Sequence, residues 1–171
     1  MRIALRLAIL LISLAVPVFG ATEAPVVCPI DARTGLITYR DVVPVKGASA
    51  EVLYDRARLW IGKLHDSANA VITLDDKDGG RVATKGTFSV STGLFPARVQ
   101  YDLTIEVKSG KFGYTLTNLA ILGEGSNAGS RSPIEQQIQN KTFWGRGAWE
   151  NVHKECLGIV DVLSKAMSTP K

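Results

Sequence analysis

The sequence predicts an α+β fold in which one antiparallel sheet of about five strands carries two helices on a single face, in the order β-α-β-β-β-β-α. Three patterns predict it. Val99, Tyr101, Leu103, Ile105 and Val107 alternate with Gln100, Asp102, Thr104, Glu106 and Lys108, as a strand with one dry and one wet face must. Leu53, Ala57, Trp60, Ile61 and Leu64 recur at helical spacing after Ser49. Trp149, Val152, Cys156, Val160, Leu163 and Met167 do the same near the end, and each stripe is broad enough to cover a sheet.

Ahead of these elements lies a segment of another kind. Arg2 and Arg6 precede an apolar stretch at 7–19, shorter than the roughly 20 residues that span a bilayer, and Gly20 and Ala21 are small enough to end a cleavable leader. The expected organisation is a signal peptide at 1–21, an extended N-terminal arm at 22–34 and one α+β domain at 35–171. Export to the periplasm or beyond follows, with no transmembrane segment after cleavage. Loss of Arg2 and Arg6 lowers the formal net charge from +4 to +2. The remaining cations are spread along the chain with no run of them, so the charge pattern does not point to nucleic acid.

Residues 36–45 read as the first strand, with Ile37, Tyr39, Asp41 and Val43 on one face and Leu36, Thr38, Arg40 and Val42 on the other. Pro44 marks an edge or an end. After the turn at Lys46-Gly47-Ala48, Ser49 is the expected N-cap and Glu51 complements the positive end of the helix dipole. That helix runs to about Leu64, with Arg56, Arg58 and Lys63 largely on its solvent side. A short strand at 70–74 meets Asp75-Asp76-Lys77-Asp78-Gly79-Gly80, a hairpin turn. Val82, Thr84, Gly86, Phe88 and Val90 then alternate up to a turn at Gly93 and Pro96. Ser109-Gly110 joins the clearest strand to a partner at 112–121, and a glycine-rich loop follows at 122–131. One or two helical turns are expected at 134–139 and the closing helix at 148–167, where Gly158 costs about 1 kcal/mol relative to alanine, so packing must hold the helix.

The usual catalytic constellations are missing. A Ser-His-Asp hydrolase needs a histidine beside its nucleophile, yet only His65 and His153 exist and no Gly-x-Ser-x-Gly elbow occurs. His65 suits a helix C-terminus and His153 the boundary of the last stripe. Two histidines and two distant cysteines give no zinc spacing. The acidic turn fails as a calcium loop, because aligning Gly79 as the loop glycine puts Leu74 at its first position and Lys85 at its twelfth. Gly123 to Gly129 lacks the lysine of a phosphate cradle, and Asn140-Lys141-Thr142 matches a glycosylation sequon by chance. No cofactor and no metal are expected.

Cys28 and Cys156 are the only cysteines. Export makes a disulfide between them the favoured expectation, and the chain-entropy model gives so long a loop an upper value of about 5 kcal/mol. Two unpaired thiols, or a lipid on Cys28, are the alternatives. Pro25-Val26-Val27 is a poor match to the small residues that precede a lipidated cysteine.

Residues 37–88 resemble a family of exported bacterial proteins described as a domain of unknown function with a TATA-binding-protein-like fold. The resemblance rests on a valine-rich first strand, Leu53-Tyr54 with Ala57 and Trp60 on the helix, a strand ending at Asp75-Asp76-Lys77, and Gly80 and Gly86 framing the next. It continues through the hairpin between Tyr101 and Asn118 to Pro133-Ile134-Glu135. These are core and turn positions, so the resemblance implies fold more than function. TATA-binding protein drives apolar wedges into a minor groove, whereas the wet face here offers Gln100, Asp102, Glu106, Thr115 and Thr117. Its two carboxylates oppose phosphate, and no nucleic acid is expected.

The leading functional expectation is a small non-catalytic binding or interaction domain of the cell envelope. Its candidate polar face comprises Gln100, Asp102, Thr104, Glu106, Thr115 and Thr117, with the loops at 123–144 as a second region, and its partner is a protein or small ligand. One alternative is a hydrolase with an unrecognised carboxylate site such as Asp102 with Glu106. The other is a structural domain that self-associates through Phe143, Trp144 and Trp149.

Overall fold

A computed structural model describes residues 28–65, 70–92, 96–139 and 146–169. The leader, the first part of the arm, the turn at Gly93, the sequon at Asn140 and the aromatic pair Phe143 and Trp144 lie outside the described residues. Strand β1 (Tyr39–Pro44) leads to helix α1 (Ala50–His65), and four strands follow: β2 (Ala70–Asp76), β3 (Arg81–Ser91), β4 (Pro96–Lys108) and β5 (Lys111–Leu122). A short β6 (Arg131–Pro133), a turn of helix α2 (Glu135–Gln139) and the long α3 (Arg146–Ser168) complete the chain.

The sheet order is β1-β5-β4-β3-β2, antiparallel throughout, with β6 paired to β5 beyond the end of β1. Helix α1 thus carries the chain from one edge of the sheet to the other, and the meander from β2 to β5 brings it back to pair with β1. Ser49 caps α1 as its type predicts, its Oγ accepting from the Val52 N–H at 3.3 Å. Leu53, Ala57, Trp60 and Ile61 are buried from α1, and Val152, Cys156, Val160, Leu163 and Met167 from α3. They cover the alternating Val99, Tyr101, Leu103, Ile105 and Val107 of β4 and form one continuous core with Val82, Phe112 and Leu116.

Four features depart from the sequence reading. Residues 28–34 of the expected arm turn back on the segment before β1: the Asp31 N–H bonds the Leu36 carbonyl, the Thr38 N–H bonds the Pro29 carbonyl, and Ile30 bridges Ile37. The Asp31 carboxylate makes this turn by accepting from the N–H groups of Arg33 and Thr34, and it also pairs with Arg40 at 3.0 Å. Arg56 is half-buried, its guanidinium donating to the Met167 carbonyl at 2.6 Å and capping the end of α3. The loop after β5 returns as a sixth strand too short for periodicity to reveal. The fourth is a bulge in β5, described with the site below.

The edge strand β2 is held through side chains as well as its ladder. Buried Thr84 donates to the Val71 carbonyl at 3.1 Å, close to the register shift between Ile72 and Leu74. Asp75 accepts from the Tyr54 hydroxyl and from Arg58 at 2.8 Å, which together hold its carboxyl below the usual range. A carboxyl depressed in the folded state adds stability that is present above its unfolded pKa and lost as pH falls through its folded one. Urea midpoints of the native chain should therefore drop as pH falls below about 4, and Asp75→Asn should flatten that part of the profile. An unchanged slope in the variant would remove Asp75 from the acid response.

Candidate functional site

The residues alternating with the core form the sheet's second face, and the strand pairings arrange them in rows. Arg40, Thr115, Thr104 and Ala83 make one row across β1, β5, β4 and β3. Val42, Gly113, Glu106 and Arg81 make the next, and Thr117, Asp102 and Lys85 lie on the other side of the first. All six residues expected on the polar face, Gln100, Asp102, Thr104, Glu106, Thr115 and Thr117, are on it and none is buried.

They do not act alike. Thr104, Glu106 and Thr115 line a depression of about 340 Å³ together with Arg40, Asp41, Val42, Gly113 and Tyr114. The depression exists because Gly113 puts no side chain between Val42 and Glu106. A Cβ built there would meet only the Asp41 carbonyl at 3.6 Å and Val42 Cγ2 at 3.7 Å, ordinary contacts, so a larger residue fits and fills the hollow. A smaller hollow of about 140 Å³ adjoins it, bordered by Val42, Glu106, Lys108, Lys111 and Gly113.

Asp102 and Thr117 instead serve the fold. The Asn118 amide donates to Asp102 Oδ2 at 2.6 Å, and Lys85 stands 3.6 Å from Oδ1. The Thr117 hydroxyl donates to the Ile37 carbonyl at 3.1 Å and meets the Thr38 hydroxyl at 2.9 Å, tying β5 to the segment before β1. Gln100 lies opposite Ala120 of β5 and Thr87 of β3, outside the depression.

The bulge sits in this region. Gln100 pairs with Ala120 but Asp102 pairs with Thr117, so β5 has one more residue than β4 over this stretch. Asn118 absorbs it in the left-handed region at φ 57°, where a short amide side chain is tolerated, and Arg131 donates to its carbonyl at 3.1 Å. The extra residue shifts the phase of the strand, which turns Leu119 into the core. Sequence reasoning treated 112–121 as uninterrupted, although Leu116 and Leu119 stand three apart where an even strand puts apolar residues two apart.

The charge of this face also differs from the expectation. Asp102 and Glu106 alone suggested repulsion of anions, but the register adds Arg40, Arg81, Lys85, Arg98, Lys108 and Lys111 to the same face, with Asp76 the one other carboxylate at an open-face position among the described strands, while Asp41 of β1 lines the depression from the alternate register. Arg81, Lys85 and Arg40 have acidic partners. Arg98, Lys108, Lys111 and Glu106 form no ion pair among the described residues. The cations come from separate strands, so only their pairing brings them together. Arg40 and Gly113 were likewise not singled out by the sequence, because nothing local reveals which strand borders β5.

Of the other candidates, the expected Cys28–Cys156 bridge is not formed: both are free, buried thiols. Burial raises both thiols, Cys156 to about 12, and so keeps them in the protonated, unreactive form. Trp149 is half-buried against the core. At the acidic turn, Asp76 accepts from the Gly79 N–H at 2.8 Å and pairs with Arg81 at 3.5 Å. Among the described residues no group of three or more His, Cys, Asp or Glu could hold a metal, and no helix is long and apolar enough to cross a membrane.

This arrangement, a meander sheet closed by its first strand and backed by two helices, defines a TBP-like α+β protein. Residues 39–121, from β1 into the end of β5, match the family described as a domain of unknown function (DUF4468) with TBP-like fold. A crystal structure of a TBP-like protein from Parabacteroides distasonis is similar with a TM-score of 0.68 at 11% identity, covering 84% of this chain and 99% of that one. A DUF4468 family protein from Bacteroides ovatus is similar with a TM-score of 0.65 at 18% identity, covering 82% of this chain and 91% of that one. At these identities the likeness is one of fold. Among curated proteins none matches the chain.

Proposed function

We propose that this chain is an exported, non-catalytic binding domain of the cell envelope, and that its open sheet face takes a protein or small ligand bearing an anionic group. The observation that carries the reading is the hollow over Gly113. It combines a missing side chain, hydroxyls from Thr104 and Thr115, and the guanidinium of Arg40, with Asp41 and Glu106 also in its lining and Lys108 and Lys111 beside it. A concave site with a few convergent polar groups is where a ligand gains most from burial. Arg40, held by Asp31 through one guanidinium nitrogen, offers its remaining N–H groups to a carboxylate or phosphate, and the lysines add attraction that salt screens. Export supports an envelope partner over nucleic acid.

Gly113→Leu tests this directly, because it fills the hollow without strain. Its unfolding free energy should stay within about 1 kcal/mol of the parent. Immobilised parent domain should retain a stoichiometric partner from envelope extract, more weakly as salt rises, while duplex DNA passes through. The variant should lose that partner. Equal retention by parent and variant would place the binding surface elsewhere, and retention of DNA would replace the proposed partner class.

A further inference from the structure

Lys108 ends β4, Lys111 begins β5, and the two pair directly across the Ser109-Gly110 turn. Both lie on the open face, where directly opposed side chains start about 5 Å apart and like charges repel. Nothing on the chain relieves that repulsion. Neither lysine forms an ion pair among the described residues, and Glu106, one row along on the same face, pairs with neither. Nor is the tip free to open, because the Val45 N–H donates to the Gly110 carbonyl at 2.8 Å and the Gly110 N–H donates to the Ala48 carbonyl at 2.9 Å. Lys46, on the turn that pins the tip, is a third cation with no ion pair among the described residues. Lys108 and Lys111 border the hollow of about 140 Å³, which shares Val42, Glu106 and Gly113 with the larger one. Two cations are thus held together at the mouth of a concave site, in a position that an anion would relax.

We propose that Lys108 and Lys111 clamp a phosphate group of the ligand, which rests on the reading of the open face as a binding surface and adds the chemistry of the group held there. A phosphate suits this pair better than a carboxylate does. Its oxygens point in several directions, so two separate ammonium groups can each donate to it, and its double charge matches theirs. A carboxylate is planar and singly charged, and its natural match is the fork of one guanidinium. Bound phosphate also cancels the repulsion that the free protein carries, so the docked state gains twice from the same two side chains. Glu106 borders both hollows. There it accepts from an N–H or O–H of the ligand's body over Gly113, beside the Thr104 and Thr115 hydroxyls.

The test titrates inorganic phosphate into the ¹⁵N-labelled chain at constant ionic strength, with chloride making up the difference. The amide signals of Lys108, Lys111 and Gly113 should shift to saturation with phosphate and not with chloride. Lys108→Gln and Lys111→Gln should each weaken phosphate at least about tenfold, the effect of losing one charge-assisted hydrogen bond. Lys111→Glu turns the like pair into an opposite one, so it should raise the urea midpoint while abolishing saturable binding. A pair of merely solvated lysines predicts that gain without the loss. Vesicles of phosphatidylcholine with and without phosphatidic acid then separate the sources. Pelleting with phosphatidic acid alone makes the group a lipid headgroup, and pelleting with neither makes it a soluble phosphate ester. Shifts that never saturate, an equal response to chloride, or unchanged phosphate affinity in both glutamine variants would overturn the clamp. If the clamp falls while Gly113→Leu still loses its envelope partner, the open face remains the binding surface; if Gly113→Leu keeps that partner, both fall.

Discussion

Trp60→Ala is expected to cost about 3 to 5 kcal/mol of unfolding free energy, one of the two largest effects anticipated for a single substitution here. Trp60 is 6% exposed and lies on the stripe of α1 that includes Leu53, Ala57 and Ile61, all buried. Helix α1 is the crossover that joins the two edges of the sheet, and it contacts β2, β3, β4 and β5. Removing the indole leaves a cavity at the centre of that contact, which the neighbouring strands cannot close without breaking their ladder. Leu59, next in sequence but 48% exposed, is the matching control, and Leu59→Ala should change stability by no more than about 0.5 kcal/mol. Urea unfolding of both variants decides the matter. A loss below about 1 kcal/mol at Trp60 would mean that the indole does not fill the core.

Gly86→Val should be nearly as damaging for the opposite reason. Gly86 pairs directly with Tyr101 of β4, and the Tyr101 ring lies over the bare glycine, with a built Cβ only 2.3 Å from the ring. The ring cannot swing away freely. It is 4% exposed and stacks on Phe88 at 5.9 Å between centroids. Overpacking of this kind costs about 1 to 3 kcal/mol. The cause is separable by a double-mutant cycle, because Gly86→Val should be far milder once Tyr101→Ala has removed the ring. Additive losses would point to a local strand effect of valine and not to the aromatic lid.

Most of the sheet was legible because its information is local. Strand β4 alternates without interruption, so its five buried residues and its wet face follow from spacing alone, and Ser109-Gly110 leaves its hairpin partner little choice. The α1 boundaries follow from Ser49 and the stripe for the same reason. What was hidden depends on contacts distant in sequence. The pairing of β1 with β5 puts Arg40 and Val42 beside Gly113, and no local pattern announces it. The excess of cations on the open face has the same origin, since β1, β3, β4 and β5 contribute one or two each. Arg56 looked solvated because the end of α3, which it caps, lies 111 positions away. Asn118 was overlooked because a bulge interrupts a period that a short window reads as continuous.

The claim on which the functional account depends is that the open face of the sheet, and not the helical side, meets the partner. Backbone amide shift mapping of the ¹⁵N-labelled domain with its retained partner tests it most directly. The account predicts shifts concentrated at Arg40, Thr104, Glu106, Gly113 and Thr115, and nothing comparable on the outer surfaces of α1 and α3. Shifts centred on Val52 and Leu59 of α1 or Leu157 and Val162 of α3, which are exposed apolar residues of the helical layer, would contradict it.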